Sequence, residues 1–300
     1  MKIDKCAAGA GGSVNPSQEV CKSKSGCLAF VHIEKAAGTT LIHILRRNYF
    51  LRYCDVRPLS AGSAGMFGAN DMKIYLRLHP FVRCIAGHSI VPYGSLVECY
   101  PGLRFITVMR EPVSRYVSQF HYLTRERAHK FSFREFLDDD HYANFQTRKI
   151  AESGNVDEAR KLLSETFFLV GIVEQFDEFL LMLKKMLSDT SFDPVYRQRN
   201  SARDKEYSMD ILDRYHDEIV ERNHSDLTLY EYVKQEVLPS NKIWYGDTLE
   251  SDIAELRRLR MKSGVMRIRS GVDYGLRKVY IEPITGVLRR ISGLPAEGSY

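Results

Sequence analysis

The stretch CLAFVHIEKAAGTTLIHILRRNYF, residues 27–50, runs from an apolar segment through a lysine and a glycine into two threonines. CLAFVHI (27–33) has the length and apolarity of a buried strand. From Thr39 onward Leu41, Ile44 and Leu45 fall on one helical face. The segment reads as strand, tight loop, helix. A helix beginning near Thr39 turns unpaired backbone N–H groups and a positive dipole end back toward the loop. Gly38 lets the chain approach an anion closely, Thr39 and Thr40 offer hydroxyl donors, and Lys35 supplies a charge that can follow a leaving oxygen. The mechanics are those of a phosphate-binding loop. The G-x-x-x-x-G-K-[ST] order of a nucleoside-triphosphate loop is absent, because the lysine precedes the glycine. Taken alone, the loop is equally compatible with a plain strand–helix connection capped by a threonine.

The unit recurs. LRFITVMR (103–110) is an apolar, β-branched strand that stops at Arg110-Glu111-Pro112. Proline suits the first turn of a helix, and VSRYVSQFHYLTRER continues with helical spacing. Ser118, eight residues after Arg110, falls at nearly the azimuth that Arg110 would have if the helix began there. A guanidinium fork and a hydroxyl so placed can clamp a second phosphate. The competing reading pairs Arg110 with a nearby carboxylate and leaves Ser118 on the surface.

Two further strands are expected, VRCIAGH (82–88), ending in Gly87-His88, and FFLVGIVE (167–174), which leads into the amphipathic helix QFDEFLLMLKKMLS. Residues 132–166 read as polar and helical. Helices are expected over 208–222 and 226–237, the second closed by Pro239. Alternating strands and helices predict an α/β fold with a mostly parallel central sheet covered by helices on both faces. Residues 1–26, rich in Gly, Ser, Ala and Lys, read as a flexible leader. One domain is expected over 27–240. Residues 241–300 form a basic extension of unassigned structure, with ten Lys/Arg against five Asp/Glu from 251 onward.

Bulk composition excludes little. Of 300 residues 44% are hydrophobic and 27% charged, and the formal net charge is +5. That balance suits an anionic ligand, yet lacks the dense basic stripe of a nucleic-acid binder. No apolar stretch approaches the ~20 residues of a membrane span. The six cysteines match no zinc spacing, no metal-ligand cluster is visible, and reduced thiols in a cytoplasmic protein are expected. The alternative is a Golgi-lumenal catalytic domain without its anchor.

HIEKAAGTT followed by MREPVSRYVSQF resembles the two nucleotide-binding signatures of sulfotransferases that use 3′-phosphoadenosine 5′-phosphosulfate (PAPS). The look is that of carbohydrate O-sulfotransferases related to the heparan sulfate 2-O- and 6-O-sulfotransferases. The resemblance implies a P-loop-like sulfotransferase fold, with Lys35, Ala37, Gly38, Thr39 and Thr40 holding the 5′-phosphosulfate and Arg110 with Ser118 holding the 3′-phosphate. AGHSIVPYG resembles the family's Gly-His segment, which makes His88 the catalytic base, with Lys35 assisting the departing phosphate. NFQTR (144–148), FFLVGIVEQFDEFL (167–180), YRQRN (196–200) and DLTLYEYV (226–233) extend the likeness to about residues 28–237. His121 is the rival base, and His32 reads as structural. The implied acceptor is a carbohydrate or other hydroxyl compound, set by loops such as 51–80 and 125–140. The alternatives are a P-loop kinase or NTPase and a non-catalytic carbohydrate- or nucleotide-binding module on the same fold. The family commonly reads H-I-P-K-T-G-G-T, so Glu34, Ala36 and Ala37 replace its proline, threonine and first glycine. Glu34 is expected to turn away from the anion, or to meet Lys35 or the acceptor.

Overall fold

A computed structural model describes residues 26–59, 65–196, 205–262, 275, 278–279 and 282–293. Residues 1–25 of the expected leader and 197–200 of YRQRN lie outside the described residues. The elements run β1 (Leu28–Val31), α1 (Gly38–Tyr49), β2 (Tyr53–Asp55), α2 (Ala69–Leu78), β3 (Cys84–Gly87), α3 (Ser95–Cys99), β4 (Arg104–Met109), α4 (Pro112–His121), α5 (Phe133–Asp138), α6 (Phe145–Ile150), α7 (Val156–Glu165), β5 (Phe167–Ile172), α8 (Phe176–Leu187), α9 (Lys205–Arg222), α10 (His224–Tyr232), α11 (Leu238–Tyr245), α12 (Leu249–Lys262) and α13 (Glu282–Ile291).

The five strands form one all-parallel sheet in the order β2-β3-β1-β4-β5. Side chains alternate across each strand, so Leu28 and Phe30 enter one core layer and Ala29 and Val31 the other. The first layer is closed by Leu41, Ile44 and Leu45 of α1, the apolar face of α8, and Leu249, Ile253 and Leu256 of α12. The second is closed by Met72 and Tyr75 of α2, Ile150 of α6, Leu163 of α7 and Leu229 of α10. A sheet covered on both faces needs apolar residues at successive positions, which explains runs such as LAFV and FITVM. A third cluster joins Tyr116 and Phe120 of α4 to Phe133 and Phe136 of α5 and Ile211 and Ile219 of α9.

The expected loop 51–80 holds β2 and α2, and the expected stop at Pro239 is not one. The edge strand β2 has three residues, and its length gave the sequence no period to display. Pro239 does not close a helix. The chain passes from α10 through a π-helical turn (Val233–Val237) into α11, with Pro239 in its first turn. Pro239 has no N–H to donate, and the π-helical turn just before it is where the helical bonding pattern shifts. Helices also occupy part of the stretch after 240. Leu288 of α13 packs on the core, and Arg289 Nη1 donates to the Pro58 carbonyl at 2.5 Å.

Strand order places the functional end of the sheet. The chain leaves β1 toward β2 on one side and leaves β4 toward β5 on the other. The crevice beyond the carboxyl ends of β1 and β4 is therefore a topological switch point, where open α/β sheets bind ligands.

Candidate active site

The β1–α1 loop and the residues after β4 meet at this crevice. Thr107, wholly buried in β4, donates its hydroxyl to the Val31 carbonyl at 2.9 Å and ties down the last residue of β1. Beyond it the backbone takes two left-handed steps, with φ 64° at Lys35 and φ 57° at Ala37. These steps turn the chain into α1 with Gly38 as its first helical residue. Ala37 provides no side-chain cap, and no acidic residue lies in the first turn. The first N–H to find a helical partner is that of Leu41, bonded to the Ala37 carbonyl at 3.1 Å. The N–H groups of Gly38, Thr39 and Thr40 precede that bond and face the crevice end of the helix. The neighbouring helix α4 differs, because the Glu111 carboxylate caps it through Val113 N (3.0 Å) and Ser114 N (2.7 Å). Of the two helix starts at the crevice, α1 has the end free for an anion.

Gly38 is required by a close approach. A Cβ on Gly38 would overlap the ring of His32. His32, buried at the end of β1, stacks on His88 with ring centroids 4.0 Å apart and planes at 27°. Burial, with His88, Lys149 and Lys35 nearby, holds His32 well below the usual imidazole range, so it is neutral.

Arg110 joins the two motifs. Its Nη1 donates to the Lys35 carbonyl at 3.1 Å. Its own backbone is gripped at both ends by one side chain, with Arg110 N donating to Gln146 Oε1 (2.9 Å) and Gln146 Nε2 donating to Arg110 O (2.8 Å). Gln146 is buried on α6. The start of that helix is fixed by Asp226, which accepts from Gln146 N (3.1 Å), Thr147 N (2.7 Å) and Thr147 Oγ1 (2.8 Å). NFQTR is thereby explained as the brace behind Arg110, and DLTLYEYV supplies the carboxylate behind the brace. Glu174, at the end of FFLVGIVE, accepts from Glu111 N (3.1 Å) and Tyr230 Oη (3.0 Å).

Lys35 lays its ammonium 4.3 Å from the centre of the Tyr122 ring, and Arg127 Nε donates to Tyr122 Oη at 2.8 Å. Burial lowers the Lys35 pKa, opposed by Glu126. Thr39 is exposed and Thr40 half-buried in the first turn of α1. Ser118 is half-buried as the seventh residue of α4. Arg110 precedes that helix, which begins at Pro112, so the condition for a shared helical azimuth is not met. His121 is buried at the end of α4, its pKa lowered by burial and by Arg125 and Lys35.

His88 follows β3, whose Gly87 lies where a Cβ would meet the Val56 carbonyl. The His88 side chain is 41% exposed, and Nδ1 lies 3.5 Å from Glu34 Oε1. Glu34 Oε2 also accepts from Gln119 Nε2 at 3.4 Å. Of the expectations for Glu34, none named this pair. Desolvation lowers the His88 pKa, Glu34 pulls it up, and Lys149, Arg57 and Arg127 push it down. Lys149 of α6 donates to the His88 carbonyl, and burial pushes its pKa down to about 8. Sequence reading missed Lys149 and Tyr122, since neither sits in a motif whose chemistry is local. Among the described residues no three His, Cys, Asp or Glu group to hold a metal ion.

The chain is 24% identical over 274 aligned residues to the galactosylceramide sulfotransferase of Mus musculus, covering 79% of this chain and 64% of that one. It is 29% identical over 123 residues to heparan-sulfate 6-O-sulfotransferase 1-B of Danio rerio, covering 35% of this chain and 29% of that one. Its relatives are sulfotransferases. The chain thus spans less than two-thirds of the length of the first relative and under a third of the second. No family model matches. A sulfotransferase structure from Alicyclobacillus acidocaldarius superposes with TM-score 0.36 at 15% identity, over 68% of this chain and 98% of that one. That superposition is too loose to bear on the site.

Proposed function

We propose that this chain transfers a sulfuryl group from PAPS to a hydroxyl of a carbohydrate acceptor. The observation that carries the reading is the Arg110–Lys35 bond, which brings two anion-binding loops together beside the open start of α1. The residues fit a nucleotide with phosphates at two positions. One group lies at Lys35, Gly38, Thr39 and Thr40. The second comprises Arg110 and Ser118, with Ala37 shaping the turn between strand and helix.

When bound, PAPS supplies the sulfuryl group on its 5′-phosphate. The chain then positions and neutralises charge, which dominates catalysis of in-line transfer between two oxygens. Lys35 and the N–H groups of α1 stabilise negative charge that develops on the 5′-phosphate. His88, exposed on the adjoining rim, takes the proton of the acceptor hydroxyl. Lys149, Arg57 and Arg127 surround it with positive charge.

Neither relative named above is a kinase, and both carry carbohydrate acceptors in their names. This kinship favours the Golgi-lumenal placement over the cytoplasmic one. Among the described residues no helix is long and apolar enough to cross a membrane. The deciding experiment is turnover of labelled PAPS against a panel of glycans and glycolipids. Label transfer to a sugar hydroxyl supports the reading. Tight binding of adenosine 3′,5′-bisphosphate without transfer to any acceptor returns the chain to the non-catalytic class. A thermal shift with ATP and Mg²⁺ but none with the bisphosphate returns it to the kinase class.

A further inference from the structure

We propose that His32 is a positioning residue for His88, its buried ring serving as the flat platform on which the His88 imidazole lies. The use made of that imidazole rests on the sulfuryl-transfer reading, whereas the stack itself does not. Three near-parallel rings meet at the end of β1. Phe30 and His32 are two residues apart and so share one side of the strand, with ring centroids 5.3 Å apart and planes at 22°. His32 and His88 follow at 4.0 Å and 27°. The register produces the second contact. Val31 pairs with Gly87 across parallel strands, and the next residue on each is a histidine. Exposure rises along the series, from the wholly buried Phe30 through His32, 7% exposed, to the His88 side chain at 41%. The tip of the His32 ring abuts Gly38, where a Cβ would overlap it, nearest at Nε2. His88 therefore lies against a surface that is itself held from the core and from the start of α1. Lys149 holds the His88 carbonyl, and Glu34 approaches Nδ1 at 3.5 Å. Those contacts act on the backbone and the ring edge. The stack adds a constraint on the tilt of the ring plane.

Filling space does not by itself call for histidine here. Nδ1 of His32 is buried with no hydrogen-bond partner among the described residues, a loss that leucine in the same space would avoid. What the imidazole supplies is a thin, flat face. Burial, with His88, Lys149 and Lys35 nearby, also keeps that ring neutral. A neutral ring can face the imidazolium that forms when His88 accepts the hydroxyl proton, whereas a second cation would repel it.

The test separates a flat ring from a filled space. His32→Leu keeps volume without planarity, and His32→Phe keeps a flat neutral ring. His32→Leu should lower kcat about 100-fold, the loss that follows when a reacting group is misplaced by about 1 Å. The Kd of adenosine 3′,5′-bisphosphate should change far less, and His32→Phe should recover most of the lost kcat. In the His88→Ala background His32→Leu should lower kcat no further, because it acts through His88. The stack is read apart from turnover in the ¹H–¹³C spectrum of the imidazoles, with His88→Asn to assign the signals. The ring current of His32 should displace the His88 ring protons, and His32→Leu should return them toward free-histidine positions. If His32→Leu does not fold, His32→Met, which fills the space with a flexible chain, takes its place. Undiminished kcat in the folded variant, the same fold loss in the His88→Ala background, or a Kd loss as large as the kcat loss would overturn the proposal. Unmoved His88 resonances would overturn it as well. Absence of sulfuryl transfer in the wild type would instead overturn the reaction, and the ring resonances would still decide the stack.

Discussion

Arg110 Nη1 lies 3.1 Å from the Lys35 carbonyl oxygen, so the residue proposed for one phosphate also buttresses the loop proposed for the other. Arg110→Ala should therefore weaken adenosine 3′,5′-bisphosphate by roughly 10- to 150-fold, the worth of a charged hydrogen bond of about 1.5–3 kcal/mol. AMP, lacking the 3′-phosphate, should lose less. Calorimetric titration of both nucleotides checks this. Equal losses would confine Arg110 to its buttressing role. Arg110→Lys should not restore affinity, because an ammonium cannot reproduce the fork.

Gly38 and Ala37 should tolerate substitution differently. Gly38→Ala drives a methyl into the His32 ring, and overpacking of this kind costs about 1–3 kcal/mol. Its melting temperature and nucleotide affinity should both fall. Ala37 has φ 57°, where a Cβ is strained and glycine is not. Ala37→Gly should keep stability to within about 1 kcal/mol, since relief of strain opposes the added freedom of the unfolded chain. Ala37→Val should lower it. Chemical denaturation of the three variants makes the comparison.

His88→Ala should lower turnover by ~10²–10⁴ with little loss of nucleotide affinity. Desolvation holds the His88 pKa below its ordinary 6.5. The base form therefore persists at neutral pH, and activity is lost as pH falls through the lowered pKa. A kcat/KM profile whose acid limb lies above 6.5 would contradict the assignment.

Asp226 accepts three hydrogen bonds in the interior. Asp226→Ala leaves those donors unpaired, at about 1–3 kcal/mol for each buried group. It also loosens Gln146, which grips Arg110. The variant should melt lower and bind the bisphosphate less tightly, although Asp226 lies behind the loops proposed to hold the nucleotide. Gln146→Ala should show a smaller stability loss and a comparable affinity loss.

Lys149 gives a stability prediction with a definite sign. Burial depresses its pKa from 10.5 to about 8, so between these values the unfolded chain holds a proton that the folded chain does not. Stability from this group therefore rises with pH across that window and is lowest below it. Lys149→Met should flatten the slope of unfolding free energy between pH 8 and 10.5. An unchanged slope would show that the ammonium is solvated.

The sequence alone determined the strand–loop–helix units, the parallel class of the sheet and the pairing of HIEKAAGTT with MREPVSRYVSQF. Those features are local. Apolar runs, helical period, a glycine before threonines and a proline after a strand each act within a few residues. Tertiary structure decided what lies between distant segments. It showed that β1 and β4 are neighbours with diverging exits, and that NFQTR braces Arg110 from behind. It also showed that His32 fills the space Gly38 leaves. Glu34 is the clearest case. In the sequence it is an acidic residue beside a proposed anion site, with no local reason to be there. Folding brings it to Nδ1 of His88, a residue on another strand's exit, because parallel strands deliver their carboxyl ends to one edge. Ion pairs across that edge obey distance in space, which no sequence period encodes.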